Sequence, residues 1–280
     1  MTLPRERVLK ADDGTQLFVT DWPVNATCAD AKNVRGGIVI LHGLGEHSGR
    51  YLHVVQFFND IGWSVRTYDH RGHGHSGGPR GDTPASDTLI RDAKIIIDDF
   101  AKQLTQAPVL LGHSMGGLLA ARVASAALSP LRGLILSSPA LAITLSRFEQ
   151  FLLTTLSALA PGFGVSSRLK TQYLSHDPAV VAMRKDDLLA HSSITARMLR
   201  SMLDAADFSQ AHATALRIPT LLLVAGDDHL VDVQGSRRFF DQLAPGIGTL
   251  HWYHGFYHEL FNELDARRML ADMQAWLTDR

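Results

Sequence analysis

The chain has 280 residues, 45% of them hydrophobic and 20% charged, which is enough for one globular α/β domain with a sizeable core. Its 27 basic and 28 acidic residues leave a formal net charge of -1, which excludes the electrostatic footprint of a nucleic-acid-binding protein. Cys28 is the only cysteine, so no disulfide can form within the chain. Residues 1–13 are charged and lack an apolar centre, so we expect no signal peptide and a cytoplasmic protein.

Strand-like and helix-like segments alternate along the chain. Two short strands at residues 6–9 and 16–22 flank Asp12-Asp13-Gly14 and predict a β-hairpin. The later strands lie at residues 37–41, 64–68, 109–111, 134–137, 220–225 and 249–252, and most of them are apolar throughout, as is typical of strands buried on both faces. Helices are predicted at residues 51–60, 118–127, 233–243 and 264–277, with a further helix that Ser86 or Asp87 caps and that runs to about Leu104. The alternation predicts an α/β fold with a mostly parallel central sheet flanked by helices.

A strand, a sharp turn and a helix meet at Gly112-His113-Ser114-Met115-Gly116, which has the G-x-S-x-G pattern. In such a turn the central residue has a strained backbone, and its neighbours need almost no side chain. The pattern alone is weak, because loops commonly use Gly and Ser. With a strand before it and a helix after it, the pattern predicts Ser114 as a nucleophile and the Met115 N–H as an oxyanion donor.

The alternation stops between residues 140 and 216, where no strand-like run occurs and the pattern is helical. We therefore predict a core formed by residues 1–139 and 217–280 and a helical cap inserted at residues 140–216, called the cap segment below. Its first helix is unusually apolar. One interpretation is that this face packs on the core, and the other is that it lines an acyl-chain channel or makes transient contact with a membrane or micelle; the two are compatible. It is not a membrane span, because charged residues interrupt it.

A serine on this kind of turn is followed along the chain by an acid and then by a histidine. Asp228 follows the predicted strand 220–225 and precedes an apolar pair, so we prefer it as the acid. Its neighbour Asp227, and more weakly Asp232, are alternatives. The other reading of these carboxylates is a capping or turn role before the next helix.

The histidine expected after the last strand is His258. His251 lies inside that strand and His254 comes early in the loop, so both are weaker alternatives. A serine is a poor nucleophile until a base takes its proton, which is the role predicted for His258. The acid then fixes the imidazole tautomer and stabilises the imidazolium that forms.

A second oxyanion donor is expected from the loop that follows the strand 37–41. This loop begins His42-Gly43-Leu44-Gly45, which matches a His-Gly type oxyanion loop. We predict that the Leu44 N–H is the donor. Each of two such N–H groups lowers the barrier by about 3 kcal/mol.

Five blocks of sequence occur in order along the chain: HGLGEHSGRY at residues 42–51, YDHRGHGHS at 68–76, GHSMGG at 112–117, DHLVD at 228–232 and YHE at 257–259. They resemble the α/β-hydrolase-fold serine hydrolases, and within them the monoacylglycerol lipase and lysophospholipase group, which is similar to the S33 serine aminopeptidases. The resemblance covers essentially the whole chain, the cap segment most loosely. It implies cleavage of carboxylic esters with one long acyl chain, with Glu46 and Arg50 shaping the polar end of the substrate pocket. Animal members carry a second histidine three positions after the base, where this chain has Phe261, and this departure bears on glycerol recognition.

His70, His73 and His75 crowd beside Asp69 and superficially suggest a metal site. The resemblance implies a simpler role, in which this loop braces the sheet near the oxyanion loop. No dinucleotide-binding glycine fingerprint stands between a strand and a helix. We therefore predict neither a metal nor a cofactor.

The first hypothesis is a serine ester hydrolase that forms an acyl-enzyme on Ser114 and acts on monoacylglycerol-type lipid esters. A lysophospholipase, or a carboxylesterase of short-chain or aromatic esters, is the alternative within this class. A non-catalytic ligand-binding protein on the same fold is a second hypothesis, and a metal-dependent hydrolase built on the His73 loop is a third. The fold alone does not separate them, because function depends on the site, and the oligomeric state stays open.

Overall fold

The computed structural model describes residues 3–24, 35–167 and 169–278, and Cys28 lies outside the described residues. An eight-stranded sheet forms the centre of the described chain. Its strands are β1 (Arg5–Lys10), β2 (Gln16–Trp22), β3 (Gly36–Leu41), β4 (Trp63–Tyr68), β5 (Val109–His113), β6 (Gly133–Ser137), β9 (Thr220–Ala225) and β10 (Gly248–Tyr253). Their spatial order is β1-β2-β4-β3-β5-β6-β9-β10. Two further strands of the described residues, β7 (Gly164–Ser166) and β8 (Ser193–Thr195), lie in the cap segment.

The predicted hairpin is confirmed, because β1 pairs antiparallel with β2. β2 is also antiparallel to β4, whereas the other pairings of this sheet are parallel. The central parallel strands are apolar and buried, since helices cover both faces of the sheet. Parallel strands deliver the loops at their carboxyl ends to the same edge of the sheet, and this edge therefore collects residues from distant parts of the sequence.

Two hydrophobic clusters lie on opposite faces of the sheet. On one face pack α1 (Leu52–Asp60) and α8 (Ala266–Thr278), and on the other α2 (Thr88–Ala101), α3 (Met115–Ser125), α6 (Ala196–Ala211) and α7 (Val233–Asp241). The predicted continuation of α2 to Leu104 is wrong. After Ala101 the chain closes tighter turns, in which Gln103 N donates to Phe100 O and Leu104 N donates to Ala101 O. Asp87 occupies the N-cap position of α2, but its side chain makes no capping hydrogen bond.

The cap segment contains α4 (Arg147–Leu159), α5 (Pro178–Asp186) and α6. The prediction that it holds no strand is wrong, because β7 (Gly164–Ser166) and β8 (Ser193–Thr195) pair antiparallel. Each strand has three residues, which is too short to leave an alternating pattern in the sequence. α6 packs on α3 and so joins the cap segment to the core. The division of the chain at residues 140 and 216 stays a prediction.

α4 is the least buried of these helices. It packs against α6, and Leu153 is its buried residue. By contrast, Phe148, Phe151 and Leu159 are 71%, 68% and 80% exposed. The apolar side chains of α4 therefore do not mainly fill the core. Within the described part of the chain, every helix is too short or too polar to cross a membrane.

Candidate active site

The turn at Ser114 has the strained geometry that the sequence predicts. Ser114 has φ 54° and ψ -118°, between the end of β5 and the first residue of α3. A Cβ on Gly112 would lie 2.2 Å from Gly116 O, and one on Gly116 would lie 2.1 Å from Leu41 O. Neither neighbour can therefore carry a side chain. The strain costs of the order of 1–3 kcal/mol, and the surrounding sheet and helix hold the turn in place.

His258 and Asp228 form a close, buried pair. His258 Nδ1 lies 2.6 Å from Asp228 Oδ2, and their side chains are 5% and 0% exposed. The other carboxylate oxygen, Oδ1, accepts from the backbone N–H groups of Leu230 at 2.8 Å and Val231 at 3.1 Å. The carboxylate is thus oriented from both sides. The apolar pair noted in the sequence supplies the two N–H groups that hold it.

The pair shifts both pKa values in the directions that keep it charged. Burial by itself raises the pKa of Asp228, but the His258 imidazole and the two backbone N–H groups outweigh it and the net shift is downward. Burial by itself lowers the pKa of His258, and the Asp228 carboxylate turns the net shift upward. An imidazole with a raised pKa is a better proton acceptor, as a general base requires.

The alternatives from the sequence lie elsewhere. The Asp227 side chain is 53% exposed and lies beside His229, while Asp232 caps α7 by accepting from Gln234 N at 2.9 Å. His251 lies within β10, with its Nδ1 3.6 Å from Asp272, and His254 is exposed. Of the candidate acids and bases, the structure brings only Asp228 and His258 together, on the wall of the cavity that Ser114 also lines.

The loop after β3 lies against the serine turn. A Cβ on Gly43 would lie 3.2 Å from Ser114 Cβ. His42 Nε2 accepts from His70 N at 2.9 Å, so the ring proton is on Nδ1, which donates to Gly43 O at 2.8 Å. A trans peptide points its N–H away from its C=O, so the Leu44 N–H points away from the His42 ring. Burial lowers the pKa of His42, so the ring stays neutral and keeps this tautomer.

The second predicted oxyanion donor belongs to α3. Met115 is the first residue of this helix, and its side chain is buried in the core. The first N–H groups of a helix have no partner within it, so the Met115 N–H is free of the helix ladder. Leu44 lines the cavity. The oxyanion role of these two N–H groups stays a prediction.

Glu46 and Arg50 line the cavity, but their polar atoms are largely engaged with the protein. Glu46 Oε1 accepts from Gly43 N at 2.5 Å and from the Tyr51 hydroxyl at 2.7 Å, and Oε2 accepts from Arg50 at 2.8 Å. Burial alone would raise the pKa of Glu46, yet the Arg50 guanidinium and nearby groups lower it to about 2. Glu46 therefore holds the oxyanion loop as a carboxylate.

Glu259 and His113 are two site residues that the sequence analysis missed. Arg50 makes a two-pronged contact with Glu259, with Nη1–Oε1 2.7 Å and Nη2–Oε2 2.8 Å. The His113 ring lies 4.8 Å from the His258 ring, and burial lowers its pKa to about 4, so it adds no charge beside the base. Their sequence signal was position alone, since each directly adjoins a predicted catalytic residue.

A cavity of about 890 Å³ opens beside Ser114. Its polar end is formed by Glu46, Arg50, Arg184 and Glu259, and its long apolar wall comes mainly from the cap segment, with Leu152, Leu153, Leu156, Ile194, Leu199 and Met202. The two carboxylates and the two guanidinium groups at the polar end carry equal and opposite formal charge. The arrangement can accept an apolar chain and an uncharged polar group at one site.

The histidine-rich loop is hydrogen-bonded to the loop after β3, beside the part of the sheet that the resemblance implies it braces. Asp69 accepts from Ser48 N at 2.8 Å and His75 N at 2.7 Å, and His70 also contacts His42 O through Nε2 at 3.1 Å. In the described residues, no group of three or more His, Cys, Asp or Glu side chains is arranged to hold a metal ion. The hydrogen bonds to Ser48 N and His42 O connect the 69–75 loop to the loop after β3.

A mostly parallel sheet with helices on both faces and a strained Ser turn between β5 and α3 defines the α/β-hydrolase fold, which confirms the predicted fold class. A family model described as "Serine aminopeptidase, S33" matches residues 32–265, so the chain belongs to this family.

The chain is similar to proteins of known name across most of its length. A monoacylglycerol lipase of Mycolicibacterium smegmatis is 34% identical to it, over 87% of this chain and 88% of that protein. The phospholipase YtpA of Bacillus subtilis is 31% identical, over 81% of this chain and 88% of its own. The crystal structure of a Paleococcus ferrophilus monoacylglycerol lipase superimposes with a TM-score of 0.85 at 31% identity, covering 94% of this chain and 98% of that one.

Proposed function

We propose that this protein is a serine ester hydrolase that cleaves single-chain lipid esters of the monoacylglycerol type through an acyl-enzyme on Ser114. The observation that carries the proposal is the buried His258–Asp228 pair at 2.6 Å, which shares the wall of a large apolar cavity with the strained Ser114. The similarity to two monoacylglycerol lipases supports the substrate class. The protein is placed in the cytoplasm as part of the same proposal.

In the proposed mechanism, His258 takes the proton of Ser114 as its oxygen attacks the ester carbonyl. The Leu44 and Met115 N–H groups stabilise the negative oxygen of the tetrahedral intermediate. His258 then protonates the alcohol, which leaves, and an ester links the acyl group to Ser114. Water deprotonated by His258 attacks this ester and releases the fatty acid, restoring the serine.

The lining of the cavity favours a substrate with one acyl chain and an uncharged alcohol. One set of apolar side chains lines the cavity and suits a hydrocarbon chain: Leu152, Leu153 and Leu156 of α4, with Leu199 and Met202 of α6. At the polar end, Arg50 binds the carboxylates of Glu46 and Glu259, and Arg184 binds the carbonyl oxygens of Gly45 and His191. Two carboxylates and two guanidinium groups leave no excess positive charge for a phosphate. A glycerol-like alcohol therefore fits better than a phospholipid headgroup.

A panel of esters tests the proposed substrate class. We expect kcat/KM for dissolved p-nitrophenyl esters to rise from acetate through butyrate to decanoate, by up to about fourfold per methylene that enters the cavity. Monoacylglycerol should be cleaved faster than lysophosphatidylcholine of the same chain. The rates are measured by p-nitrophenolate release and by fatty-acid release.

Each other outcome of the panel would contradict a stated part of the proposal. A maximum at acetate or butyrate would indicate a short-chain carboxylesterase, and faster cleavage of lysophosphatidylcholine would indicate a lysophospholipase. Tight binding of these lipids without turnover would indicate a ligand-binding protein. Activity that a chelator abolishes, but a serine-directed organophosphate does not, would indicate a metal-dependent hydrolase.

We further propose that the exposed face of α4 makes transient contact with lipid aggregates. Phe151 and Leu159 are 68% and 80% exposed and do not line the cavity, so the site inside does not explain them. Replacing both by Ser should lower the rate on emulsified monoacylglycerol about tenfold, because their apolar area no longer enters the interface. The rate on dissolved p-nitrophenyl butyrate should not change.

The control for this prediction is Leu264→Ser, which removes an equally exposed side chain, 73% accessible, outside the cap segment. It should leave both rates unchanged. Equal rates of the α4 double variant and the unmodified protein on emulsified substrate would reject the contact between α4 and lipid aggregates.

A further inference from the structure

The oxyanion loop is held from two sides by different parts of the chain. On the core side, His42 donates to the carbonyl oxygen of Gly43 and Glu46 accepts from its N–H. On the other side, residues 184–191 of the cap segment cover the next turn of the loop. This second contact belongs to neither the predicted catalytic residues nor the acyl-chain wall.

The Gly45 carbonyl is the centre of the contact with the cap segment. Gly45 O accepts from His191 N at 2.9 Å and from Arg184 Nη2 at 2.9 Å, and the same Nη2 donates to His191 O at 3.0 Å. One guanidinium nitrogen thus ties the loop to the cap segment. The fit is close, because Gly45 has φ +74° and a Cβ there would lie 2.2 Å from His191 O.

A second tie lies two residues further along the loop. His47 Nδ1 accepts from Gly49 N at 3.2 Å, so its proton is on Nε2, which donates to Asp187 Oδ2 at 2.8 Å. Asp187 Oδ1 accepts from Leu189 N at 2.9 Å, which fixes the carboxylate in turn. The side chains of His47 and Asp187 are only 13% and 19% exposed, so water competes weakly for this bond.

We propose that the cap segment positions the oxyanion loop through Arg184 and Asp187, so that the loop has its productive shape only while residues 184–191 are docked on it. The inference rests on the proposed function, because it takes the Leu44 N–H as an oxyanion donor. It goes beyond that function by making Arg184 and Asp187 positioning residues. If the cap segment moves away from the core, the oxyanion loop loses this support. Attack on the ester is therefore confined to the state in which the cap segment is docked.

The test compares Arg184→Met with Arg184→Lys and with Lys185→Met as the matched control. Arg184→Met keeps a long side chain without a donor, and should lower kcat on dissolved p-nitrophenyl butyrate about tenfold, since a displaced oxyanion donor is partly lost. KM should stay within about twofold, because the effect acts on the transition state rather than on ester binding. Arg184→Lys should recover most of the loss, since one ammonium can reach both carbonyl oxygens. Lys185→Met removes the exposed cation at the next position of α5 and should not change kcat.

A second measurement separates positioning from a general loss of structure. The rate of phosphorylation by diethyl p-nitrophenyl phosphate, in which Ser114 displaces p-nitrophenolate, should fall by the same factor as kcat. Its phosphoryl oxygen would use the same donors, whereas a merely looser cap segment would admit the reagent faster. Asp187→Asn keeps the shape of the side chain and should also lower both rates. It replaces Arg184→Met in the test if that variant folds poorly.

Three outcomes would overturn the proposal. An unchanged kcat in Arg184→Met is one, and a raised KM at unchanged kcat, which would make Arg184 a substrate contact, is another. Failure of Arg184→Lys to recover activity at a normal melting temperature is the third. Failure of the proposed function itself is distinguishable, because Ser114→Ala would then retain the ester turnover of the unmodified protein.

Discussion

Ser114→Ala should lower kcat/KM for every ester that the protein cleaves by at least about 10⁴-fold. The alanine leaves the fold of the turn intact but removes the hydroxyl oxygen that we propose forms the acyl-enzyme. The remaining activity should come from the oxyanion N–H groups and from substrate binding, which act without the nucleophile. The measurement is p-nitrophenyl butyrate hydrolysis, together with mass spectrometry after treatment with diethyl p-nitrophenyl phosphate, which should label the unmodified protein and not the variant.

Ser146→Ala is the matched control, because Ser146 is another hydroxyl on the cavity wall. Ser146 caps α4 through a capping box with Glu149, so its loss should cost about 1 kcal/mol of helix stability and leave hydrolysis nearly unchanged. Retention of most of the ester turnover in Ser114→Ala would reject the serine mechanism. Loss of turnover in both variants would show that the cavity wall, and not the nucleophile, had been disturbed.

Asp228→Asn should lower kcat by about 10³- to 10⁴-fold, while the neighbouring Asp227→Asn should leave it within about twofold. The asparagine keeps the size of the side chain but removes the charge that selects the tautomer of the neutral imidazole and stabilises the imidazolium that forms from it. Asp227, in contrast, lies beside His229 with a side chain that is 53% exposed. Steady-state kinetics of the two variants decide between the two adjacent carboxylates, and a greater loss in Asp227→Asn would reverse the assignment.

The pH dependence of the unmodified protein follows from the same pair. His258 accepts a proton only when neutral, so kcat/KM should fall as the pH drops through its pKa in the free protein. Because Asp228 raises that pKa above its ordinary value of 6.5, the midpoint of the acid limb should lie above pH 6.5. A midpoint below this value would mean that burial, which lowers the pKa, outweighs the carboxylate.

Much of the fold could be predicted from the sequence, because local chemistry carries it. The apolar runs of β3, β5, β6 and β9 are long enough to mark buried strands, and their observed ends lie within one or two residues of the predicted ones. The serine turn could be predicted because glycines flank Ser114, and the structure leaves no room for a Cβ at either glycine. Where the signal was short, prediction failed, as for the three-residue strands β7 and β8.

What the sequence by itself determined was the order of the chemistry along the chain: the loop at His42, the turn at Ser114, an acid near residue 228 and a histidine near residue 258. Each of these has a local signature, because each follows the carboxyl end of a predicted strand. Only the tertiary structure decided which acid meets the histidine, since Asp227 and Asp228 adjoin in sequence but point to different surroundings. It alone also placed Glu259 on Arg50, 209 residues away, and Arg184 on Gly45, 139 residues away. The physical reason is that side-chain hydrogen bonds between distant segments leave no periodic or local pattern, and they exist only once the sheet has brought the loops to one edge.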